Sequence, residues 1–370
     1  MPARRVQLNS LTGLRFFAAM AVVLYHLHLY FPAISGSLAI FGYGYTGVSF
    51  FFILSGFVLT WSHRPGVTAR RFYWNRVARI WPLHVLTMIL ALWIPALSGS
   101  SWTGWSAAPF VLTLTQAWIP GSGFLSAFNG VSWSLSCEAF FYLLFPLLFR
   151  RLGNRPRVSG IAGIVFLSLI TAGVGFSHYV SIPVANYLLG TLPVYRMGEF
   201  VLGMCLAIVM KRGWRPPLRL LHALGLTALL AMGLFAAPQI LNRAPGAVPV
   251  IYADIIMIPG FLALIATAAT SDLSGRSNIL GSKALVRLGQ WSFALYLVHE
   301  LVIRLVRPLV TEMPVGETFG AAFVTAVASI ALSGLLHEFV EKPAEKWLRS
   351  RGAPQTARTA AVAAVQQPEK

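Results

Sequence analysis

Ten times between residues 11 and 340 the chain stays apolar for about twenty residues, and the interruptions on one alternate side are rich in arginine and lysine. Twenty apolar residues in a helix are about 30 Å long, the thickness of bilayer hydrocarbon, and a helix satisfies its own backbone polar groups there. The runs predict spans at 11–31, 45–63, 78–97, 131–149, 158–177, 187–210, 217–237, 248–270, 289–308 and 318–340. The expected fold is all-α: a polytopic membrane protein of about ten transmembrane helices, with residues 11–350 as one integral membrane domain.

Composition agrees. Of 370 residues, 56% are hydrophobic and 11% charged, against about 45–50% and 25% in soluble domains. No polar stretch is long enough to fold by itself, so any chemistry is inside the membrane or at its surface. Lysine and arginine number 29 against 11 acidic residues, a formal charge of +18. A nucleic-acid binder would carry that charge on a soluble face, whereas here it sits between apolar runs. Nucleic acid is therefore not an expected partner.

Loop charge also orients the chain. Arg4 and Arg5, then Arg64, Arg70, Arg71 and Arg76, then Arg150, Arg151, Arg155 and Arg157 fall on one side. So do Lys211, Arg212 and Arg215, then Arg276, Lys283 and Arg287, then Lys342, Lys346, Arg349 and Arg351. The opposite loops hold almost none, Arg243 being the exception. The positive-inside rule puts both termini in the cytoplasm, with residues 1–10 as a short cytoplasmic N-terminus and 351–370, rich in alanine, glutamine and threonine, as a disordered tail. The basic start carries no small-residue cleavage site, so the first run is read as a retained span.

Three further features shape the expectation. The apolar stretch 106–118 is too short to cross and lacks basic flanks, which makes it a re-entrant or interfacial piece. No internal repeat links the two halves, which argues against a secondary transporter. Cys137 and Cys205 both fall inside apolar runs, and neither a disulfide framework nor a metal site is indicated.

An ionisable residue inside a span costs a few kcal/mol, which makes each a functional candidate. Those away from span ends are His26, Glu138, Arg196, Glu199, Asp254, His299, Glu300 and Arg304, with Arg15 one turn inside the first span. Arg15 and His26 are eleven residues apart, which brings them to within about 20° of one helical face and separates them by roughly 16 Å along the axis. That distance is comparable with an extended pantetheine arm, so one ligand can place a phosphate at Arg15 and its reactive end at His26. The plainer alternatives are a snorkelling arginine and a histidine bonded to a neighbouring helix.

Counted from the outer ends, Ser49, Glu138 and Asp254 share the depth of His26, which implies a chamber in the outer leaflet. A carboxylate at Glu138 is expected to orient the imidazole or stabilise its protonated form, the alternative being an unrelated ion pair. Arg76 and Arg79, three apart at the entrance to the third span, present both guanidinium groups on one face, suited to a phosphate-rich ligand from the cytoplasm. Topology alone is the competing explanation. Arg196 and Glu199 are expected to pair with each other. His299, Glu300, Arg304 and Arg307 make the ninth span unusually polar and predict that it lines the cavity. His337, Glu338 and Glu341 are read as helix-end chemistry.

The segments GLRFFAAMAVVLYH, GYTGVSFFFILSGFVL, RVARIWPLH and WSLSCEAFFYLLFP, followed by YLVHE and VEKPAEKW, resemble in order the landmarks of acyltransferase family 3, the O-antigen acetylase type of membrane O-acyltransferase. The resemblance covers most of the chain. It implies transfer of an acyl group from cytoplasmic acyl-CoA, bound as co-substrate, to a hydroxyl. His26 is then the base and Glu138 its support; Arg15, Arg76 and Arg79 bind coenzyme A; Ser49, Trp133, Asp254, His299 and Arg304 line the substrate cavity. Many surface-glycan members carry aspartate where this chain has Ser49. That serine, with the FFFILSGF run and no fused soluble hydrolase domain, is more similar to the actinobacterial branch that acylates macrolide or ansamycin antibiotics. A cell-surface glycan or lipid-linked sugar is the alternative acceptor, and a membrane transporter the alternative class. The resemblance implies a multi-pass protein of the plasma membrane, with no permanently bound cofactor. Direct transfer through His26 competes with an acyl-enzyme on Ser49 or Ser55.

Overall fold

The computed structural model describes residues 7–64, 66–98, 104–153, 155–240 and 250–351. Of the tail assigned to 351–370, residues 352–370 lie outside them, as do the basic residues Arg4, Arg5 and Arg243, while Arg351 ends a helix. Ten long helices run through the described residues: α1 (Asn9–Tyr30), α2 (Gly47–Ser62), α3 (Ala69–Ser98), α4 (Trp133–Leu152), α5 (Pro156–Ser177), α6 (Pro193–Lys211), α7 (Leu220–Ile240), α8 (Val250–Leu273), α9 (Lys283–Val310) and α10 (Val315–Leu336). A shorter α11 (Lys342–Arg351) follows. Among the described residues, nine helices are long and apolar enough to cross a membrane. The remaining long one, α9, has 28 residues, about 42 Å at helical rise, but carries Lys283, Arg287, Glu300, Arg304 and Arg307. The chain is a polytopic membrane protein, and its most polar long helix is one that faces other helices.

Boundaries differ from the sequence expectation where local chemistry intervenes. The third span begins nine residues earlier, at Ala69, because its amphipathic start is held by α11, with Trp74 Nε1 donating to the Leu348 carbonyl at 2.7 Å. The sixth begins later, at Pro193, after a widened turn over Asn186–Thr191. Proline favours the first helical position, where its missing N–H goes unused. A second widened turn, His337–Glu341, separates α10 from α11. The stretch 106–118 does not cross. It forms a short helix, Ala108–Leu112, between single turns of 3-10 helix.

Close helix packing uses small residues. Gly56 on α2 and Gly203 on α6 oppose each other so tightly that a methyl group on Gly56 would collide with the Phe200 carbonyl, and one on Gly203 with the Ile53 carbonyl. Gly289 on α9 meets the Thr12 carbonyl of α1 in the same way. Lipid tails are as apolar as leucine, so van der Waals contact between backbones drives such association more than the hydrophobic effect. The outcome is that α1 is enclosed by α2, α8 and α9, while α5 and α7 stay peripheral with Ile161, Ile164, Leu221 and Leu229 exposed. In a bilayer those side chains face lipid.

The N-terminal end of α1 is fastened from outside the helix. Asp272, at the end of α8, accepts from the Ser10 backbone N–H at 2.9 Å and from Ser10 Oγ at 2.6 Å, and Asn278 Nδ2 donates to Ser10 Oγ at 2.8 Å. A carboxylate here satisfies an orphan N–H and complements the positive end of the helix dipole.

Candidate active site: two chambers on one helix

Three adjacent cavities follow one side of α1. A wide vestibule of about 960 Å³ is lined by Arg15, His63, Arg64, Arg79, His337 and Glu341 among others. It shares Arg15, Leu54, Val58 and Arg79 with an inner chamber of about 130 Å³, which also holds Ser55, Arg76, Glu138 and Tyr142. The inner chamber in turn shares Val48 and Tyr296 with an outer chamber of about 330 Å³ that contains His26, Trp133, Asn186 and Asp254. Arg15 and His26 therefore do lie along one face of α1, and they open into successive chambers.

The inner chamber is cationic and poor in counter-ions. Among the described residues neither Arg15 nor Arg79 makes a hydrogen bond or ion pair, and the buried Nε of Arg76 has no partner. Arg76 rests near the rings of Phe72 and Tyr142, at 5.8 and 5.9 Å. Glu138 is engaged instead with Tyr142, whose hydroxyl donates to it at 2.9 Å and lies 3.3 Å from Ser55 Oγ. Half-buried guanidinium groups left open towards a cavity are suited to phosphate, which their donor geometry matches.

In the outer chamber the imidazole of His26 has its protonation pattern set by its neighbours. Its Nδ1 lies 2.8 Å from the Val22 carbonyl and 3.2 Å from Nε2 of His299. A carbonyl only accepts, so Nδ1 carries the proton and Nε2 keeps a lone pair. Tyr25 contacts the ring edgewise and Tyr30 stacks on it, with centroids at 5.1 and 6.1 Å. These contacts hold the ring without consuming Nε2.

One wall of this chamber is the loop before α4, and α9 pins it. Glu300 accepts from the Val131 N–H at 2.9 Å, Arg304 Nη1 donates to the Phe128 carbonyl at 2.8 Å, and Asn129 Nδ2 donates to the Leu297 carbonyl at 2.7 Å. Tyr296 adds a bond from its hydroxyl to the Val131 carbonyl at 3.0 Å. Phe128 has φ +59°, a left-handed conformation that ordinary side chains enter at a cost, and the Arg304 bond at its carbonyl helps to hold it.

The family model described as an acyltransferase domain matches residues 8–338. The chain belongs to acyltransferase family 3. It is 36% identical to acyltransferase MdmB of Streptomyces mycarofaciens, over 95% of each protein. It is 30% identical to the exopolysaccharide production protein ExoZ of Rhizobium meliloti, over 84% of this chain and 92% of that protein. It is 25% identical to the peptidoglycan O-acetyltransferase OatA of Listeria monocytogenes, over 92% of this chain but only 56% of that longer protein. No solved structure matches. The chain is thus a membrane O-acyltransferase.

Within the acyltransferase, the residues singled out from sequence separate into three groups. Arg15, Arg76, Arg79 and Glu138 share the inner chamber, while His26, Trp133 and Asp254 share the outer one. Glu138 does not reach His26. Counting depth from helix ends put the two level, but on α4 the chamber boundary falls between Trp133, which lines the outer side, and Ser134, which lines the inner. Glu138 is a turn further in.

The third group supports the walls. His299 is fully buried behind His26, and Arg304 turns to Glu300 and Phe128. Ser49 is 0% exposed, donates to Asp254 Oδ1 at 2.6 Å and accepts from Arg196 Nη2 at 3.0 Å. Arg196 pairs with Glu199 at 3.3 Å, as its spacing predicts, and also with Asp254 at 2.7 Å. Tyr142 and Tyr296 went unremarked in the sequence because neither is charged. The available signal was their spacing, one turn from Glu138 and from Glu300.

Proposed function

We propose that the acyltransferase moves a short acyl group, acetyl or similar, from acyl-CoA to a hydroxyl of a small molecule such as a macrolide or ansamycin antibiotic, with His26 as general base. The observation that carries this reading is the series of adjacent cavities along α1, from unpaired arginines at one end to an imidazole whose Nε2 keeps its lone pair at the other. The arginines suit the phosphates of the donor, and the narrow inner chamber suits its pantetheine arm. The thioester then arrives at the boundary formed by Val48 and Tyr296.

The acceptor enters the outer chamber with its hydroxyl towards His26. Nε2 takes the hydroxyl proton as the oxygen attacks the thioester carbon. The tetrahedral oxyanion collapses, the C–S bond breaks, and the imidazolium returns the proton to the leaving thiolate. Free coenzyme A and an ester result. The burial and bonding of Ser49 speak against an acyl-enzyme at that position.

Ser49 and the FFFILSGF run, similar to the actinobacterial branch, support a small-molecule acceptor, and the Streptomyces acyltransferase is alike over 95% of its length. The names of the exopolysaccharide and peptidoglycan relatives favour a second reading, a cell-surface glycan. In either case the plasma membrane is the site of action. Purified protein in detergent, given acetyl-CoA and hydroxylated acceptors of both kinds, should release free thiol in step with ester formation. Thiol release that no acceptor stimulates would mean hydrolysis and overturn transfer to a hydroxyl, and its complete absence while an acylated molecule crosses a reconstituted vesicle would replace the enzyme reading with transport.

A further inference from the structure

The base in the proposed reaction needs one particular tautomer and one particular ring orientation, and the groups that impose them are on the page. His299 sits on α9 facing His26 on α1, with ring centroids 4.9 Å apart and planes at 69°. Its Nδ1 lies 3.0 Å from the Leu295 carbonyl. Because that carbonyl only accepts, His299 carries its proton on Nδ1 and presents an unprotonated Nε2 to His26. The His26 Nδ1–H is therefore shared between the Val22 carbonyl at 2.8 Å and His299 Nε2 at 3.2 Å.

We propose that His299 is a positioning residue that fixes His26 in its Nδ1–H tautomer and stabilises the imidazolium formed during transfer, through a neutral imidazole lone pair. The inference rests on the reading of His26 as the base. The usual orienter of a catalytic histidine is a carboxylate. The nearest candidate, Glu300, has its two oxygens committed to the Val131 N–H and to Arg304 and Tyr30. Glu138, the sequence-level candidate, opens into the other chamber.

Chemistry favours a neutral partner here. When Nε2 of His26 takes the proton, the positive charge spreads to both nitrogens and strengthens the two bonds already made at Nδ1. A lone pair from His299 gives orientation without a fixed anion, and it exposes no second proton carrier to the chamber, since His299 is 0% exposed. The residue contacts neither reactant. Its loss should therefore change turnover and leave the Michaelis constants of donor and acceptor alone.

The test compares His299→Leu, which keeps bulk without an acceptor, with His299→Gln, whose side-chain oxygen reaches the ε position. His299→Leu should lower kcat on the order of 100-fold, short of the loss on removing the base itself, with both KM values unchanged. His299→Gln should recover most of that. Equal turnover in parent and His299→Leu would overturn the proposal, as would a well-folded His299→Gln no faster than His299→Leu. Should the leucine variant fail to fold, the parent protein still answers. Nitrogen-15 NMR of histidine-labelled protein should find the proton of His26 on Nδ1, and a proton on Nε2 would refute the assignment. His26→Ala separates the two levels: if it stays active, the base assignment falls; if it is dead while His299→Leu turns over normally, only the role of His299 falls.

Discussion

Arg196 on α6 and Asp254 on α8 meet at 2.7 Å, both about 2% exposed, and Ser49 of α2 bonds to each of them. One ion pair thus ties three helices together on the floor of the outer chamber. Its two charges are affordable inside a membrane protein only because each is the other's solvent. Asp254→Ala leaves a buried guanidinium with Glu199 as its remaining counter-ion and should cost about 3–5 kcal/mol. Thermal unfolding in detergent would show this, and the triple replacement Arg196→Met, Glu199→Met, Asp254→Leu, which leaves no buried charge behind, should restore much of the loss.

Ser49→Ala discriminates between mechanisms. It removes two hydrogen bonds to charged groups from that network, a cost of about 2–4 kcal/mol, and leaves His26 untouched. Acyl transfer should persist within a few-fold of the parent. Abolished transfer by a normally folded Ser49→Ala protein, or an acyl group trapped on its parent serine, would establish the covalent route.

The arginines of the inner chamber should act on the donor alone. Replacing Arg15 or Arg79 by alanine is expected to raise KM for acetyl-CoA at least about tenfold, as loss of a charge-assisted phosphate contact of roughly 1.5–3 kcal/mol requires. The acceptor KM should not move. Kinetics with a truncated donor, the pantetheine thioester without its nucleotide, would check the assignment: if Arg15 and Arg79 hold phosphates, neither substitution should affect it strongly.

Asn186 offers a reading of the acceptor side. It lines the outer chamber, and its buried Oδ1 has no partner. A carboxamide so placed is suited to a polar group of the acceptor. Asn186→Ala should raise the acceptor KM about three- to tenfold, in keeping with one neutral hydrogen bond, and spare that of acetyl-CoA. Equal effects on both would point to a structural role.

Helix packing sets a last expectation. A side chain at Gly203 has nowhere to go, because the Ile53 carbonyl of α2 occupies its place. Gly203→Val should destabilise by at least about 2 kcal/mol and reduce the yield of monodisperse protein on size exclusion. Gly225 on α7 has open space where a Cβ would go, and Gly225→Ala should be neutral by the same measurement.

Hydropathy by itself determined that this chain is a bundle of about ten membrane helices, because the bilayer imposes length and apolarity on each span independently of its neighbours. Sequence also marked Arg15, His26, Arg76 and Arg79, since polar groups among apolar ones stand out wherever the helices go and helical spacing tells which share a face. Relations between helices needed the tertiary structure. Glu138 and His26 share a depth count yet occupy different chambers, because the division falls between two adjacent residues of α4. His299, on a span expected to line the cavity, stands behind His26, and Ser49 lies inside a buried ion network. Spacing along one helix says nothing about rotation against another, and here backbone contacts at Gly56, Gly203 and Gly289 decide it.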